Sequence, residues 1–162
     1  MRTLEKGSVL IITLLLMVML MIITVAQISQ NSTHTHIAAN SADAQIAFQT
    51  AEGALNEATN NLIAGNFASS EFLSNSNGLY LFDANNAPIW TTVDWSNSSA
   101  VIRSYQGRSH AQAAYMIEQL PSVIRPGQSA SQPAQVYRIT VRAIGASGES
   151  PVILQSTEQL QQ

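Results

Sequence analysis

No cysteine occurs anywhere in this 162-residue chain. Disulfide bridges and thiolate metal sites are therefore excluded, and redox chemistry says nothing of its compartment. Charge is scarce as well: charged residues make up 10% of the sequence and the formal net charge is −3. Such a balance offers no basic field to nucleic acid, and a nucleic-acid partner is not expected. Lys6 is the sole lysine, the next cation after it is Arg103, and residues 7–42 carry no charge at all. Proline and glycine are missing from residues 27–52, so nothing there is bound to stop a helix. The length suits about one domain.

What fills the uncharged stretch is SVLIITLLLMVMLMIITVA, residues 8–26, whose only polar side chains are the hydroxyls of Ser8, Thr13 and Thr24. As a helix it is about 28 Å long, close to the hydrocarbon thickness of a bilayer. Small hydroxyls are tolerated there because they bond back to the helix's own carbonyls. Arg2 and Lys6 precede the run and Asp43 is the first charge after it. The positive-inside rule then leaves a short N-terminus in the cytoplasm and translocates the rest. A cleaved secretory signal ending at Thr24-Val25-Ala26 is the competing expectation, although its apolar region is usually shorter.

Beyond Ala26 the chain turns polar, and apolar spacing then returns at Ile37, Ala44, Phe48, Ala51, Leu55, Ala58 and Leu62. These intervals place the residues on one helix face, which requires a sheet or partner helices to lie against. Gly65-Asn66 is the expected C-terminal stop. A single helix over residues 8–64 would measure roughly 85 Å. Two helices broken within the Ser/Thr/His stretch are the alternative. His34 and His36 point to nearly opposite sides of a helix, with no acid or thiol near them, and are read as polar surface.

From residue 66 onward Asn, Ser, Gly and Pro punctuate short β-branched and aromatic runs, which predicts strands joined by turns. In QVYRITVRA, Tyr137, Ile139, Val141 and Ala143 alternate with Arg138, Thr140 and Arg142, predicting one buried and one wet face. Gly145, Ser147 and Gly148 supply a turn from which residues 151–155 return as a hairpin partner. A third strand is expected around residues 114–118. Weaker candidates are residues 78–82 and 89–93. Every aromatic residue but Phe48 lies after residue 64, which places the core in this head.

No catalytic constellation emerges: there is no nucleophile elbow, no phosphate loop and no His/carboxylate metal motif. No enzyme activity, metal or cofactor is expected. His110 is read as a surface or capping residue. Asp83-Ala84-Asn85-Asn86 spaces oxygen ligands as a calcium loop does, but lacks its glycine and closing glutamate. A plain Asx turn is expected instead.

Lys6-Gly7 ahead of an apolar run resembles the short leader of type IV prepilins, which a prepilin peptidase cuts after the glycine. Further pieces resemble the PilX family of minor pilins: AFQTAEGAL at 47–55, NGLY at 77–80, the Trp90/Trp95 pair, YMIEQL at 115–120, YRIT at 137–140 and LQST at 154–157. The resemblance implies an α+β pilin fold, a long N-terminal helix packed on a small antiparallel sheet. It implies a leader over residues 1–7, a membrane and filament-core helix over 8–26, its amphipathic continuation over 27–64 and a periplasmic head over 65–162. Cleavage after Gly7 would leave Ser8 as a methylated N-terminus. Phe48, Ala51, Leu55 and Leu62 are expected to serve assembly through the stem.

Major pilins carry a glutamate at the fifth mature residue, thought to pair with a neighbour's amine, and Ile12 holds that place here. By analogy with a secretion-system tip pseudopilin that also lacks the acid, Ile12 points to a tip or initiation complex. The expected partners are other minor pilins, the major pilin, the inner membrane and a tip adhesin, in a Gram-negative bacterium. All acids of residues 8–100 face no cation, and every arginine after the leader lies within residues 103–142. Glu52 against Arg138 or Arg142 is thus a candidate contact between subunits, with pairing inside one subunit equally open. A type II secretion pseudopilin and a single-pass periplasmic binding domain are the competing readings.

Overall fold

A computed structural model describes residues 5–103, 111–124, 133–148 and 150–160. His110 and the first residues of the expected leader lie outside them. The elements in chain order are helix α1 (Glu5–Ile63), one-turn helix α2 (Ser69–Phe72), strand β1 (Leu79–Leu81), one-turn helix α3 (Ile89–Thr92), and strands β2 (Gln112–Val123), β3 (Ala134–Ile144) and β4 (Pro151–Leu160). Helix α1 is assigned without interruption through the Ser/Thr/His stretch, which resolves the one-helix or two-helix alternative. The chain divides into two compact units, Met1–Ser41 and Ala42–Gln162.

The described residues of the first unit, 5–41, are helical. Its large apolar side chains are exposed, Leu10 and Met17 among the most open. A helix apolar on every side needs lipid or other helices around it. Within it, Thr13 and Thr24 donate their hydroxyls to the carbonyls of Leu10 and Leu20, at 3.0 and 2.8 Å. Both polar groups are thus satisfied internally, as an apolar surrounding demands.

The second unit contains the rest of α1 and a four-stranded sheet of order β1-β2-β3-β4. β2/β3 and β3/β4 are antiparallel, with Ile117 opposite Ile139 and Val141 opposite Leu154. The expected hairpin and third strand are both present. β1, however, joins β2 in parallel, Leu79 beside Ile117, so the sheet is mixed rather than antiparallel throughout. The excursion over residues 82–111 makes this possible, since a parallel pair needs a long return connection.

The expected strand at residues 89–93 is a helical turn instead. Thr91 and Thr92 donate their hydroxyls to the carbonyls of Pro88 and Ile89, at 2.6 and 3.2 Å, and these local bonds outweigh the β preference of an Ile-Trp-Thr-Thr run.

Packing against the sheet is done by alanine. Ala47, Ala51, Ala54 and Ala58 are all completely buried, with Leu62 closing the row. Tyr115, Ile117, Tyr137, Ile139 and Val141 fill the space from the sheet side. The buried face shares Ala51, Ala58 and Leu62 with the one expected, but Ile37 and Phe48 are exposed, at 60% and 44%, and Ala47 and Ala54 are buried instead. Beside the bulky sheet side chains the helix is buried mainly through small residues, with Leu62 the one large side chain in the row. Below the helix end, Phe72 meets Tyr137 with ring centroids 5.5 Å apart and tilted by 47°.

Gly65, at φ 73°, ends α1. Its N–H reaches the Leu62 carbonyl and that of Asn66 reaches Asn61, both at 3.1 Å, the two bonds of a Schellman stop.

Candidate functional site

Gly7 and Ser8 fall in the first turns of α1. Ser8 is exposed, and Ile12 is 58% exposed. Ala51 and Leu62 are buried in the subunit's own core, and Leu55 packs partly against it. Phe48 and Glu52, one turn apart, face outward. The expected stem residues thus separate into a set that holds the helix to its sheet and a set left on the surface.

The arginines also separate. Arg138 lies directly across from Glu118 in the β2/β3 ladder. It donates twice to one Glu118 oxygen, from Nε at 2.9 Å and through a shorter bond from Nη2. The Glu118 side chain is 3% exposed and that of Arg138 21%. Phe82 stacks beneath the guanidinium at 5.9 Å. Pairing within one subunit therefore accounts for Arg138.

The sheet face expected to be wet is largely covered, since Met116, Glu118 and Thr140 are buried on it. Its cover comes from the 82–103 excursion, which Tyr80 anchors by donating its hydroxyl to the Ala100 carbonyl at 2.8 Å. Burial pushes the Tyr80 phenol upward, and that of Tyr137 likewise. Arg142 is only half-buried on this face, beside Trp95, at an open depression of ≈ 330 Å³. At the start of the excursion, the Asp83 carboxylate accepts from the Asn85 N–H at 2.9 Å and the Asn86 amide at 2.7 Å. These bonds hold it below its ordinary value. This is the expected Asx turn.

One contact escaped sequence reasoning. Asp43, at the beginning of the stem segment inside the second unit, reaches the β3–β4 turn. It accepts from the Ser147 hydroxyl at 2.5 Å and the Ser147 N–H at 3.1 Å. The hydroxyl first, and then the N–H, hold its carboxyl below the ordinary value, against a partial burial that raises it. Gly145 faces the same carboxylate so closely that a Cβ there would fall upon it. Asp43 was visible as the first acid after the uncharged run, but no local pattern links it to a turn so distant in sequence.

Among the described residues no cluster of three or more His, Cys, Asp or Glu could hold a metal. What the molecule offers is surface: an apolar helix without cover, an outward Phe48, and a head faced with arginine and tryptophan. No curated protein and no solved structure matches the chain. A family model described as type IV pilus assembly protein PilX, C-terminal, matches residues 30–159.

Proposed function

The chain belongs to the PilX family of type IV pilus assembly proteins, and from that membership we propose that it is a minor pilin which helps to initiate the pilus within a tip or priming complex. The observation that carries the reading is the apolar run of residues 8–26, continuous in α1 with the segment that packs on the head. A helix uncovered on every side is suited first to a bilayer and then to the helices of a filament. The subunit is structural rather than an enzyme, and it works by contact with other pilus components.

The finer reading is as follows. Residues 1–7 are a leader removed by prepilin peptidase, residues 8–26 are the membrane and filament-core segment, residues 27–64 continue the stem and residues 65–162 form the periplasmic head. Ser8 becomes a methylated N-terminus. The protein waits in the inner membrane of a Gram-negative cell with its N-terminus in the cytoplasm. Ile12 and Phe48, both exposed, are its assembly contacts with other minor pilins and the major pilin, while Ala51, Leu55 and Leu62 fix the stem to its own head. An apolar Ile12 cannot neutralise a neighbour's amine, which favours a special position, next to a tip adhesin, over the repeating shaft.

Mass spectrometry of sheared pili tests processing and filament residence together. A methylated N-terminal Ser8 peptide is expected, and an intact N-terminus absent from pili would instead support a permanently anchored binding domain. Gold labelling tests position: label confined to filament ends is expected, and uniform decoration of the shaft by the unmodified subunit would refute the tip reading. Ile12→Glu is expected to admit the protein to the shaft.

A further inference from the structure

The face of the sheet turned away from α1 carries two arginines on one strand with opposite fates. Arg138 and Arg142 both project from β3 on that side, because Tyr137, Ile139, Val141 and Ala143 take the core side. Arg138 is satisfied by Glu118. Arg142 has no carboxylate partner among the described residues and opens on solvent beside two tryptophans.

Two depressions, of ≈ 330 and ≈ 540 Å³, meet at Arg142. Trp95, Ser96 and Arg142 line both, so they form one continuous groove, each part within the range of small-molecule sites, roughly 300–1,000 Å³. Arg103 closes one end, where its Nη2 donates to the Trp95 carbonyl at 2.9 Å. Trp90 and Asp94 lie toward the other end. One Asp94 oxygen is already engaged by the Ser96 N–H at 2.8 Å. Two guanidinium groups against one carboxylate leave a net positive groove. Its floor is the backbone of β3, hydrogen-bonded to both neighbours, with Ala114 on one side of Arg142 and Ile153 on the other.

We propose that this groove binds a carboxylated sugar unit, a uronic-acid type residue of a polysaccharide. A pyranose ring presents an apolar C–H face and a rim of hydroxyls, and a uronic acid adds one carboxylate. Half-buried indoles suit the first. The neutral side chains of Thr91, Ser96 and Gln112, all at the groove, suit the second. The planar fork of Arg142 suits the third by bidentate pairing. A bare anion would leave the tryptophans unused. An acidic peptide would lack an unpaired strand edge, because Arg142 stands on a strand with both ladders filled.

Trp90 and Trp95 are the only tryptophans in the chain, so intrinsic fluorescence reports the groove directly. The full-length protein in detergent micelles is titrated with an oligomer of glucuronic acid, with the matching oligomer of glucose, with acetate and with a glutamate-rich peptide. A saturable change with the glucuronic acid oligomer is expected, and no comparable change with the other three. Arg142→Gln is expected to weaken binding at least about tenfold, the loss of one charge-assisted contact, while the thermal midpoint stays in place. Arg142→Lys, which keeps the charge and loses the fork, is expected to weaken it too and serves if the Gln variant melts early. A flat titration, an equal response to the glucose oligomer, acetate or the peptide, or full affinity in both Arg142 variants would overturn the assignment.

Discussion

Arg138→Met and Glu118→Gln interrupt the same ion pair, yet they should not cost the same. Arg138 enters from a partly open rim, with its side chain 21% exposed, whereas the Glu118 side chain is 3% exposed. Removing the arginine strands a carboxylate that water cannot reach, and breaking a buried pair in this way costs about 3–5 kcal/mol. The rim exposure argues for the low end, and loss of the Phe82 stack adds less than about 1 kcal/mol. We expect about 3 kcal/mol for Arg138→Met, a fall of roughly 15 °C in melting midpoint for a head of this size.

Glu118→Gln keeps the volume and leaves the guanidinium able to turn toward water, so about 1–2 kcal/mol is expected. The double variant Glu118→Met/Arg138→Met replaces the pair by apolar neighbours and should return to within about 1 kcal/mol of the parent. The assay is thermal melting of the full-length protein in detergent micelles, followed by tryptophan fluorescence and near-ultraviolet circular dichroism, because both tryptophans lie in the head. Equal costs for the two single variants, a reversed order, or a double variant no better than Arg138→Met would refute the reasoning.

Ala54→Leu places a large side chain where the helix is fully buried against the sheet; overpacking should destabilise by about 1–3 kcal/mol in urea unfolding, whereas Phe48→Ala, on the open face, should change stability little. Gly65→Ala forces a Cβ into the left-handed region at φ 73° and should cost about 1 kcal/mol in the same assay, purely from backbone strain since the space is open. The Asp43 carboxyl is held below its ordinary value of 3.8 by Ser147, so its stabilising share is complete above that pH and is lost as pH falls through the lower folded value. The stability gap between the parent and Asp43→Asn, read from urea midpoints, should therefore be widest near neutrality and close in acid; a gap independent of pH would contradict this.

Sequence carried much of this structure because its strongest patterns are local. The alternation around Ile139 and Val141, the turn at Gly145-Ser147-Gly148 and the stop at Gly65 each depend on neighbours a few residues away. The apolar run and the outline of the stem were equally plain. The phase of the stem was legible only in part: Ala51, Ala58 and Leu62 are buried as their spacing implies, whereas Phe48 is open and its place toward the sheet is taken by Ala47 and Ala54. The parallel entry of β1 and the Asp43–Ser147 contact depend on where distant segments return, which no local spacing encodes. Of the expected site residues, the divided fates of Arg138 and Arg142 required knowing that Glu118 stands across from the first.

The alanine row of α1 also bears on the order in which the protein can be finished. Its principal covers, Tyr115, Ile117, Tyr137, Ile139 and Val141, are all contributed by β2 and β3, far downstream of the helix that they protect. Contacts of such long range are slow to form, because the intervening chain must be closed before any burial compensates. A chain emerging N-terminus first would already hold its apolar anchor while the inner face of its stem was still bare. The inner face of the stem is thus covered only once β2 and β3 have both been added, so a chain cut short before β3 would keep its anchor and leave that alanine row open.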